Sequence, residues 1–175
     1  MTRIGVLSDT HGYLDKRVFT HFAPCDEIWH AGDIGSAVLL QQLREFRPTR
    51  AVYGNMDSGD VRYSLSEVYH FRIEETEVLM THIGGYPGHY NPWLLPIFRR
   101  SQEAKEGNTA NGAIDLFVCG HSHILKVQYD HQFGFLTMNP GAAGKQGWQT
   151  VQTLLRFTID GKSIDNLEVI ELDRR

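Results

Sequence analysis

Cysteine is scarce in this 175-residue chain, which contains only Cys25 and Cys119. Two cysteines are too few for the disulfide framework that holds many small secreted domains together, so we interpret both as free thiols. Cys119 ends an apolar run, where a small buried side chain fits well. We therefore expect the fold to depend on a hydrophobic core rather than on crosslinks.

Long apolar runs are also missing. No stretch approaches the roughly 20 apolar residues that a helix needs to span a bilayer. Residues 1–9 lead directly into a strand-like pattern, without the basic segment and long apolar segment of a secretory signal. We therefore expect no membrane association and a cytoplasmic location.

An excess of positive charge is the third absence. Lys and Arg number 17 against 21 Asp and Glu, which gives a formal net charge of -4. A chain without an overall positive field is not suited to tight, non-specific binding of nucleic acid. A nuclease is further disfavoured because there is no basic stripe with interleaved aromatic residues.

Apolar material, in contrast, is sufficient for a packed interior. Hydrophobic residues make up 41% of the chain, including nine Phe and seven Tyr. This length is typical of one folded unit, so we predict a single domain over residues 1–175.

The order of apolar segments predicts a mixed α/β (α+β) fold. In the first part, strand-like and helix-like segments alternate, which is typical of β-α-β units around a largely parallel sheet. In the later part, strands follow one another through short turns, interrupted by an amphipathic helix at 92–107. Ser36 has the side chain of an N-cap. The predicted strands are 3–8, 27–31, 50–53, 69–74, 76–82, 116–119, 126–130, 135–138, 151–159 and 164–172, and the other helices are 15–22 and 36–46.

Side chains able to bind metal occur where predicted strands end. Asp9 and His11 follow the first strand, and in an extended chain residues two apart point to the same side. Taken alone, this pair is more often a helix cap or a turn. His121 and His123 follow the buried run at 116–119 and are a stronger signal, because buried imidazoles need a partner.

Three further strand ends carry one candidate ligand each. In open α/β sheets, sites form outside the carboxyl ends of the strands, so residues from five strands can converge. Each of these three side chains alone would more often be a cap, a turn residue or a buried core histidine. The three are Asp33, Asn55 and His82.

Together these positions supply seven ligands, three with oxygen donors and four imidazoles. Such a mixture suits borderline divalent ions, and seven ligands are too many for one of them. We therefore predict two divalent metal ions, with manganese preferred and iron, zinc or nickel as alternatives, and no organic cofactor. Two ions that share a carboxylate leave positions open for water and a phosphate oxygen.

The order of these motifs resembles that of the calcineurin-like metallophosphoesterases, and the resemblance covers the whole chain. The small size and the Asn139-Pro140-Gly141 turn are similar to the compact prokaryotic phosphodiesterase branch of that superfamily. This resemblance implies a four-layer α/β/β/α sandwich with the metals at the top of the sheets. The motifs that carry it are Asp9-x-His11, Gly32-Asp33, Gly54-Asn55, His82 and Gly120-His121-x-His123.

Roles for the ligands follow from the resemblance alone. It assigns Asp9, His11 and His123 to one ion, and Asn55, His82 and His121 to the other, with Asp33 bridging both. It also implies a metal-bridging hydroxide as nucleophile and a homo-oligomer, a dimer or larger. On this basis Asp33, Asn55 and His82 are the predicted catalytic residues.

One departure from the family pattern bears on the substrate. Many members have a histidine directly after the Gly-Asn pair, where it assists the leaving group, but this chain has Met56. Ordinary monoesters therefore fit less well than diesters or esters with good leaving groups. The predicted function is the hydrolysis of a small phosphodiester.

Several alternatives stay open at this point. The chain could be a catalytically weak or inactive protein-binding scaffold of the same fold, with residues 93–98 as the partner surface, although the intact ligand set argues against it. His89 or Tyr90 could approach the substrate, but an exposed loop or a subunit contact is the simpler interpretation. Asp57 could orient a ligand or form an Asx turn, and His30 could support the ligands from behind.

Overall fold

Ten strands form two five-stranded sheets in the computed structural model, which describes residues 1–109 and 112–173. Most predicted elements are confirmed, with ends that differ by one or two residues. The strands are β1 (Thr2–Leu7), β2 (Glu27–His30), β3 (Thr49–Ala51), β4 (Val68–Ile73), β5 (Thr76–Thr81), β6 (Leu116–Val118), β7 (Leu125–Asp130), β8 (Phe135–Pro140), β9 (Val151–Asp160) and β10 (Ser163–Asp173). The α-helices are α1 (Arg17–Phe22), α2 (Ala37–Phe46), α3 (Gly59–Ser64) and α4 (Leu95–Glu106), with a 3-10 turn at Pro92–Leu94.

The first sheet has the strand order β10-β9-β1-β2-β3. Strands β1, β2 and β3 are parallel, and α1 and α2 provide the crossovers between them, as the alternating pattern predicted. Strand β9 pairs antiparallel with both β1 and β10. The carboxyl ends of β1, β2 and β3 therefore lie at the same edge of the sheet.

The second sheet, of order β4-β5-β6-β8-β7, differs from the expected run of short hairpins. Hairpins do join β4 to β5 and β7 to β8, but β5, β6 and β8 are parallel to one another. A parallel connection needs a long crossover, and the 3-10 turn and α4 supply it between β5 and β6. The carboxyl ends of β5 and β6 are thereby brought to the same edge.

Three hydrophobic clusters define four layers. One lies between the sheets and contains Trp29 of β2, whose ring meets Phe71 and Phe157 edge-on at centroid distances of 5.0 and 5.6 Å. A second packs the first sheet against α1, α2 and α3, and a third packs the second sheet against α4 through residues such as Phe98. The layer order α/β/β/α is the one that the resemblance implied.

Local chemistry explains where the helices begin. The Ser36 hydroxyl accepts the backbone N–H of Leu39 at 3.3 Å, which confirms it as the N-cap of α2. Residues 92–107 were predicted as one helix, but two prolines in the first turns interrupt the backbone bonding and leave a 3-10 turn followed by α4. Helix α3 was not predicted, because only Val61 in it is buried and no apolar periodicity results. Within the described residues, no helix combines the length and apolar character needed to cross a membrane.

Candidate metal centre

The loops that follow β1, β2, β3, β5 and β6 meet at one end of the two sheets. Backbone hydrogen bonds join them: the Asp9 N–H donates to the Gly32 carbonyl at 2.9 Å, and the His11 N–H donates to the Asp33 carbonyl at 3.0 Å. The loop after β6 is joined to the loop after β5 because the Gly120 N–H donates to the His82 carbonyl at 2.9 Å. The five strand ends therefore form one connected surface, although they come from two sheets rather than one.

Six of the seven predicted ligands fall into two groups of three. In each group the ligand atoms lie within 4.8 Å of one another. The first group is Asp9, His11 and His123, and the second is Asp33, His82 and His121.

The seventh predicted ligand, Asn55, has an exposed side chain that lines the same cleft as His82. It directly follows Gly54, which packs against Asp33. An ideal Cβ on Gly54 would lie 2.2 Å from Asp33 Oδ1. The position before Asn55 must therefore lack a side chain for the two loops to come together.

Each carboxylate has one oxygen bound by the protein and one that is not. Asp9 Oδ2 accepts from the Ser8 hydroxyl at 2.6 Å and from the His121 backbone N–H at 3.1 Å. Asp33 Oδ1 accepts from the Met56 backbone N–H at 2.8 Å. The other oxygens face imidazoles: Asp9 Oδ1 is 3.2 Å from His123 Nε2, and Asp33 Oδ2 is 3.0 Å from His82 Nε2.

Asp33 lies close to both groups. Its Oδ2 atom is also 3.8 Å from Nε2 of His11, which belongs to the first group. One carboxylate oxygen is thus near an imidazole of each group, which is the placement that a bridging ligand needs.

Two of the histidines are oriented through their second ring nitrogen. His82 Nδ1 lies 2.7 Å from the carbonyl oxygen of Ala31, and His123 Nδ1 lies 3.2 Å from Gln149 Oε1. Since both partners are acceptors, each Nδ1 carries the proton and Nε2 keeps its lone pair. This is the usual arrangement of metal-binding histidine.

The donor set fits cations. Asp9 Oδ1 and His82 Nε2 are buried and have no hydrogen-bond partner within residues 1–109 and 112–173. Their neighbours are close, but the angles are not those of hydrogen bonds, and a buried polar atom without a partner is costly. Nε2 of His11 and Nε2 of His123 also lie only 3.4 Å apart. Divalent ions held by these residues would satisfy all of these atoms.

Charge at the centre is balanced between carboxylates and imidazoles. Burial alone would raise the pKa of Asp9, but contacts with His123, His82 and Ser8 hold it below its ordinary value. Burial likewise opposes ionisation of Asp33, yet His82 and the Met56 N–H lower its pKa. The carboxylates of Asp9 and Asp33 are therefore anionic at neutral pH and can bind a cation.

The histidine pKa values shift in both directions. Burial lowers the pKa of His82, but the carboxylates of Asp33 and Asp9 raise it overall. Contact with Asp9 raises the pKa of His123 despite burial, whereas burial and the neighbouring His82 lower that of His121. An imidazole binds metal only as the neutral base, so the raised pKa values of His82 and His123 make protons compete with metal as the pH falls.

The backbone of the centre is unusual. Among the described residues, eight non-glycine residues have positive φ, and five of them are candidate ligands. Asp9 and His11, with φ of 54° and 46°, are thus in left-handed conformation, not in the extended one that we expected from their spacing. Such conformations cost of the order of 1–3 kcal/mol each and concentrate at functional sites. The other three are Asp33, His121 and His123.

Sequence reasoning missed several residues that support the ligands. The Asn139 side-chain amide donates to the Gly120 carbonyl at 2.9 Å and to the Ser122 hydroxyl at 3.1 Å, which ties down the loop of His121 and His123. The Asn139-Pro140-Gly141 motif was a signal for this role. No signal in the sequence pointed to Ser8 or Gln149. Ser8 supports Asp9 and Gln149 supports His123, each through a side-chain contact that belongs to no sequence motif.

Asp57 and His30 also lie behind the ligands. Asp57 is buried and accepts three backbone N–H groups, from Ile34, Gly35 and Gly54. It therefore does more than close its own turn. His30 is fully buried and contacts Thr10 Oγ1 at 2.9 Å.

The apolar segment that follows His82 packs mostly inward. Tyr90 is buried and its hydroxyl donates to Asp130 at 2.6 Å, so its polar group is engaged within the protein, although the residue also lines the cleft beside His121. Leu94 and Phe98 are fully buried in the core under α4, whereas Trp93 is 39% exposed, so only part of residues 93–98 could form an apolar partner surface. His89, in contrast, is exposed and lines a cleft that also includes His121.

Comparison with protein families gives one match. A family model for the calcineurin-like phosphoesterase superfamily domain matches residues 2–162. The "Probable metallophosphoesterase" of Methanothermobacter thermautotrophicus is 28% identical over 168 residues, which cover 93% of this chain and 88% of that protein.

Solved structures share the fold. Wild-type Vps29 from Entamoeba histolytica, complexed with zinc, superposes with a TM-score of 0.67 at 16% identity, covering 98% of each chain. YfcE, a phosphoesterase from Escherichia coli, gives a TM-score of 0.58 at 19% identity, covering 95% of this chain and 98% of YfcE. At these identities the likeness concerns the fold alone.

Proposed function

Because this chain belongs to the calcineurin-like phosphoesterase superfamily, and is thus a metal-dependent phosphoesterase, we propose that it hydrolyses a small phosphodiester with two divalent ions. The observation that carries this proposal is the pair of donor groups, in which Asp9 Oδ1 and His82 Nε2 are buried without a hydrogen-bond partner among the described residues. Bound ions would supply positive charge for the phosphate oxygens and lower the pKa of a water molecule held between them.

The chain's own residues have distinct tasks in this proposal. Asp9, His11 and His123 hold one ion, and Asn55, His82 and His121 hold the other, with Asp33 between them. The free oxygen of Asp33 lies near imidazoles of both groups, which supports the bridging role. Ala31 and Gln149 keep the protons of His82 and His123 on Nδ1, so that Nε2 faces the site.

The preference for diesters rests on what surrounds the centre. Met56 follows Asn55, and because its thioether has no acidic proton, the side chain at this position cannot donate one to a leaving oxygen. An enzyme without this general acid depends on leaving groups that depart as stable anions. Activated diesters meet this requirement better than alkyl monoesters do.

The test varies the leaving group. Protein stripped by a chelator should be inactive on bis(p-nitrophenyl) phosphate, should recover with manganese, and should turn over phenyl phosphate, a monoester whose leaving oxygen needs a proton, more slowly. Failure to hydrolyse the diester with manganese, iron, zinc or nickel would contradict the function. A faster monoester reaction would contradict the diester preference alone.

A scaffold role is the second candidate, and the structural likeness to Vps29 is the observation that favours it. It predicts a stable protein complex and no hydrolysis with any ion. The burial of Leu94 and Phe98 reduces the apolar surface of residues 93–98 that such a partner could contact, and Trp93 is its exposed part. The homo-oligomer and the preference for manganese stay predictions, which light scattering and elemental analysis of the purified protein would test.

A further inference from the structure

A cleft of about 430 Å³ adjoins the candidate metal centre on the side of His121. This volume falls within the range of about 300–1,000 Å³ that is typical of small-molecule sites. Its walls come from the segment after β5, from the loop of His121 and from the start of β7. The cleft is thus continuous with the place where the phosphate would bind.

The wall after β5 is a preorganised turn. His89 N–H donates to the Tyr86 carbonyl at 2.7 Å, with Pro87 second and Gly88, at φ 83°, third. This is the pattern of a type II turn, which favours proline and then glycine at these places. Asn91 N–H closes the loop onto Gly84 at 2.9 Å. The turn is held in place before any ligand arrives.

This turn presents two rings to the cleft. The rings of Tyr86 and His89 lie 4.7 Å apart between centroids and are tilted by 39°. The ammonium of Lys126 lies 4.1 Å from the centroid of the Tyr86 ring and so adds positive charge at the rim. Tyr86 is still 41% exposed, which leaves ring surface for a ligand. We call Tyr86–His89 the aromatic turn.

One polar group in this wall is unused. The half-buried Asn91 side chain lines the cleft, and within the described part of the chain its amide has no hydrogen-bond partner. An amide offers both a donor and an acceptor. The same combination of donor and acceptor occurs on the edges of nucleobases, whose flat faces stack on aromatic side chains.

We propose that the cleft binds a nucleobase of the substrate, stacked on the aromatic turn with its polar edge toward Asn91, so that the phosphodiester is nucleotide-derived. This inference rests on the proposed function for the position of the phosphate. An alkyl or purely apolar ester group would leave the Asn91 amide without a hydrogen-bond partner on the ligand. The positive rim also complements an anionic substrate in a chain whose net charge is -4.

Binding of products tests this without an activity assay. Calorimetry on the manganese-loaded protein would compare adenosine 5'-monophosphate and uridine 5'-monophosphate with ribose 5-phosphate, which has the same sugar phosphate and no base. We expect at least one nucleotide to bind roughly tenfold tighter or more, as stacking of one base on an aromatic side chain allows. Equal affinities of all three would overturn the proposal.

Variants then locate the binding. Tyr86→Leu should reduce the nucleotide preference to about threefold or less, since it removes the stacking surface, and Asn91→Ala should weaken nucleotide binding without changing that of ribose 5-phosphate. Tyr63→Leu is the matched control, because Tyr63 is 89% exposed and lines no part of the cleft. An equal loss in the Tyr63 variant would overturn the assignment.

The outcomes separate this inference from the proposed function. A preference for nucleotides without hydrolysis of bis(p-nitrophenyl) phosphate would support the base site and contradict the phosphodiesterase function. Hydrolysis of the diester with equal binding of the three ligands would support the phosphodiesterase function and contradict the base site.

Discussion

The Asp57 carboxylate accepts the backbone N–H of Gly54 at 2.8 Å. The same carboxylate accepts the N–H groups of Gly35 at 2.8 Å and Ile34 at 3.2 Å. One buried side chain therefore joins the loop of Asp33 to the loop of Asn55. The spacing between these two candidate ligands depends on it.

We expect Asp57→Asn to weaken metal binding and to destabilise the fold. An amide has one oxygen acceptor in place of two, and its NH2 would face a backbone N–H. A buried donor left without a partner costs about 1–3 kcal/mol, and loss of an outer support typically lowers metal affinity about 10- to 100-fold. Urea unfolding and manganese titration would measure both effects. Asp60→Asn, in the exposed start of α3, is the control. Unchanged metal affinity in the Asp57 variant would mean that the carboxylate is structural only.

The stoichiometry of metal binding distinguishes a bridging ligand from an ordinary one. Asp33→Ala should abolish activity and lower the occupancy of both ions, because one carboxylate serves two cations. His121→Ala should lower the occupancy of one ion, because the exposed His121 ring belongs to the second group alone. Elemental analysis after gel filtration would count the ions. Two ions retained by the Asp33 variant would reject the bridge.

The candidate ligands could be located from the sequence because strand ends are easy to recognise. An apolar run followed by Gly and a polar residue occurs at Asp33, Asn55 and His121, and the fold brings these ends together. Steric contact explains the glycines: an ideal Cβ on Gly120 would lie 2.1 Å from Ser8 Oγ. The glycine before each of these three candidate ligands in the sequence therefore indicated a close contact between two loops of the folded protein.

The parallel arrangement of β5, β6 and β8 could not be predicted in the same way. Which strands become neighbours depends on α4, and of its twelve residues only Phe98, Ser101 and Ala104 are buried. The left-handed backbone at Asp9 and His11 was also hidden, because Asp and His adopt this conformation only when surrounding contacts impose it.

Acid should destabilise the metal-free protein partly through His30. Nδ1 of His30 accepts the Gly32 N–H at 3.1 Å, so this nitrogen carries no proton. The Thr10 hydroxyl donates its proton to the Ile34 carbonyl and therefore accepts the proton on His30 Nε2. The ring must therefore be neutral, and burial lowers its pKa to about 4. Because the folded pKa lies below the unfolded value of about 6.5, this contribution is complete above pH 6.5 and is lost as the pH falls toward 4.

The measurement is urea unfolding in chelator at pH 7 and pH 4.5. His30→Gln keeps a donor and an acceptor but does not titrate, so its free energy of unfolding should fall less than that of the wild type, by up to about 3 kcal/mol. Effects of the acidic residues are common to both proteins and cancel in the comparison. His131→Gln, at an exposed position, should behave as the wild type does. Equal losses in the His30 variant and the wild type would contradict the buried neutral ring.

Met56 offers a gain of function, since the resemblance places a leaving-group histidine at this position. The side chain is 66% exposed, while its backbone N–H donates to Asp33. A substitution here changes the side chain without removing the backbone contact to Asp33. Met56→His should therefore leave metal binding intact and supply a proton to poor leaving groups.

The effect should depend on the leaving group, because p-nitrophenolate needs no proton and phenolate does. We expect phenyl phosphate hydrolysis to rise about tenfold, below the full range of general acid catalysis, while the rate on bis(p-nitrophenyl) phosphate changes little. The ratio of kcat/KM for the two substrates measures this. Met56→Gln is the matched control, because glutamine is similar in size but cannot act as a general acid. A rise with both substrates would point to altered metal binding instead, and no rise with either would mean that the side chain at 56 does not reach the leaving oxygen.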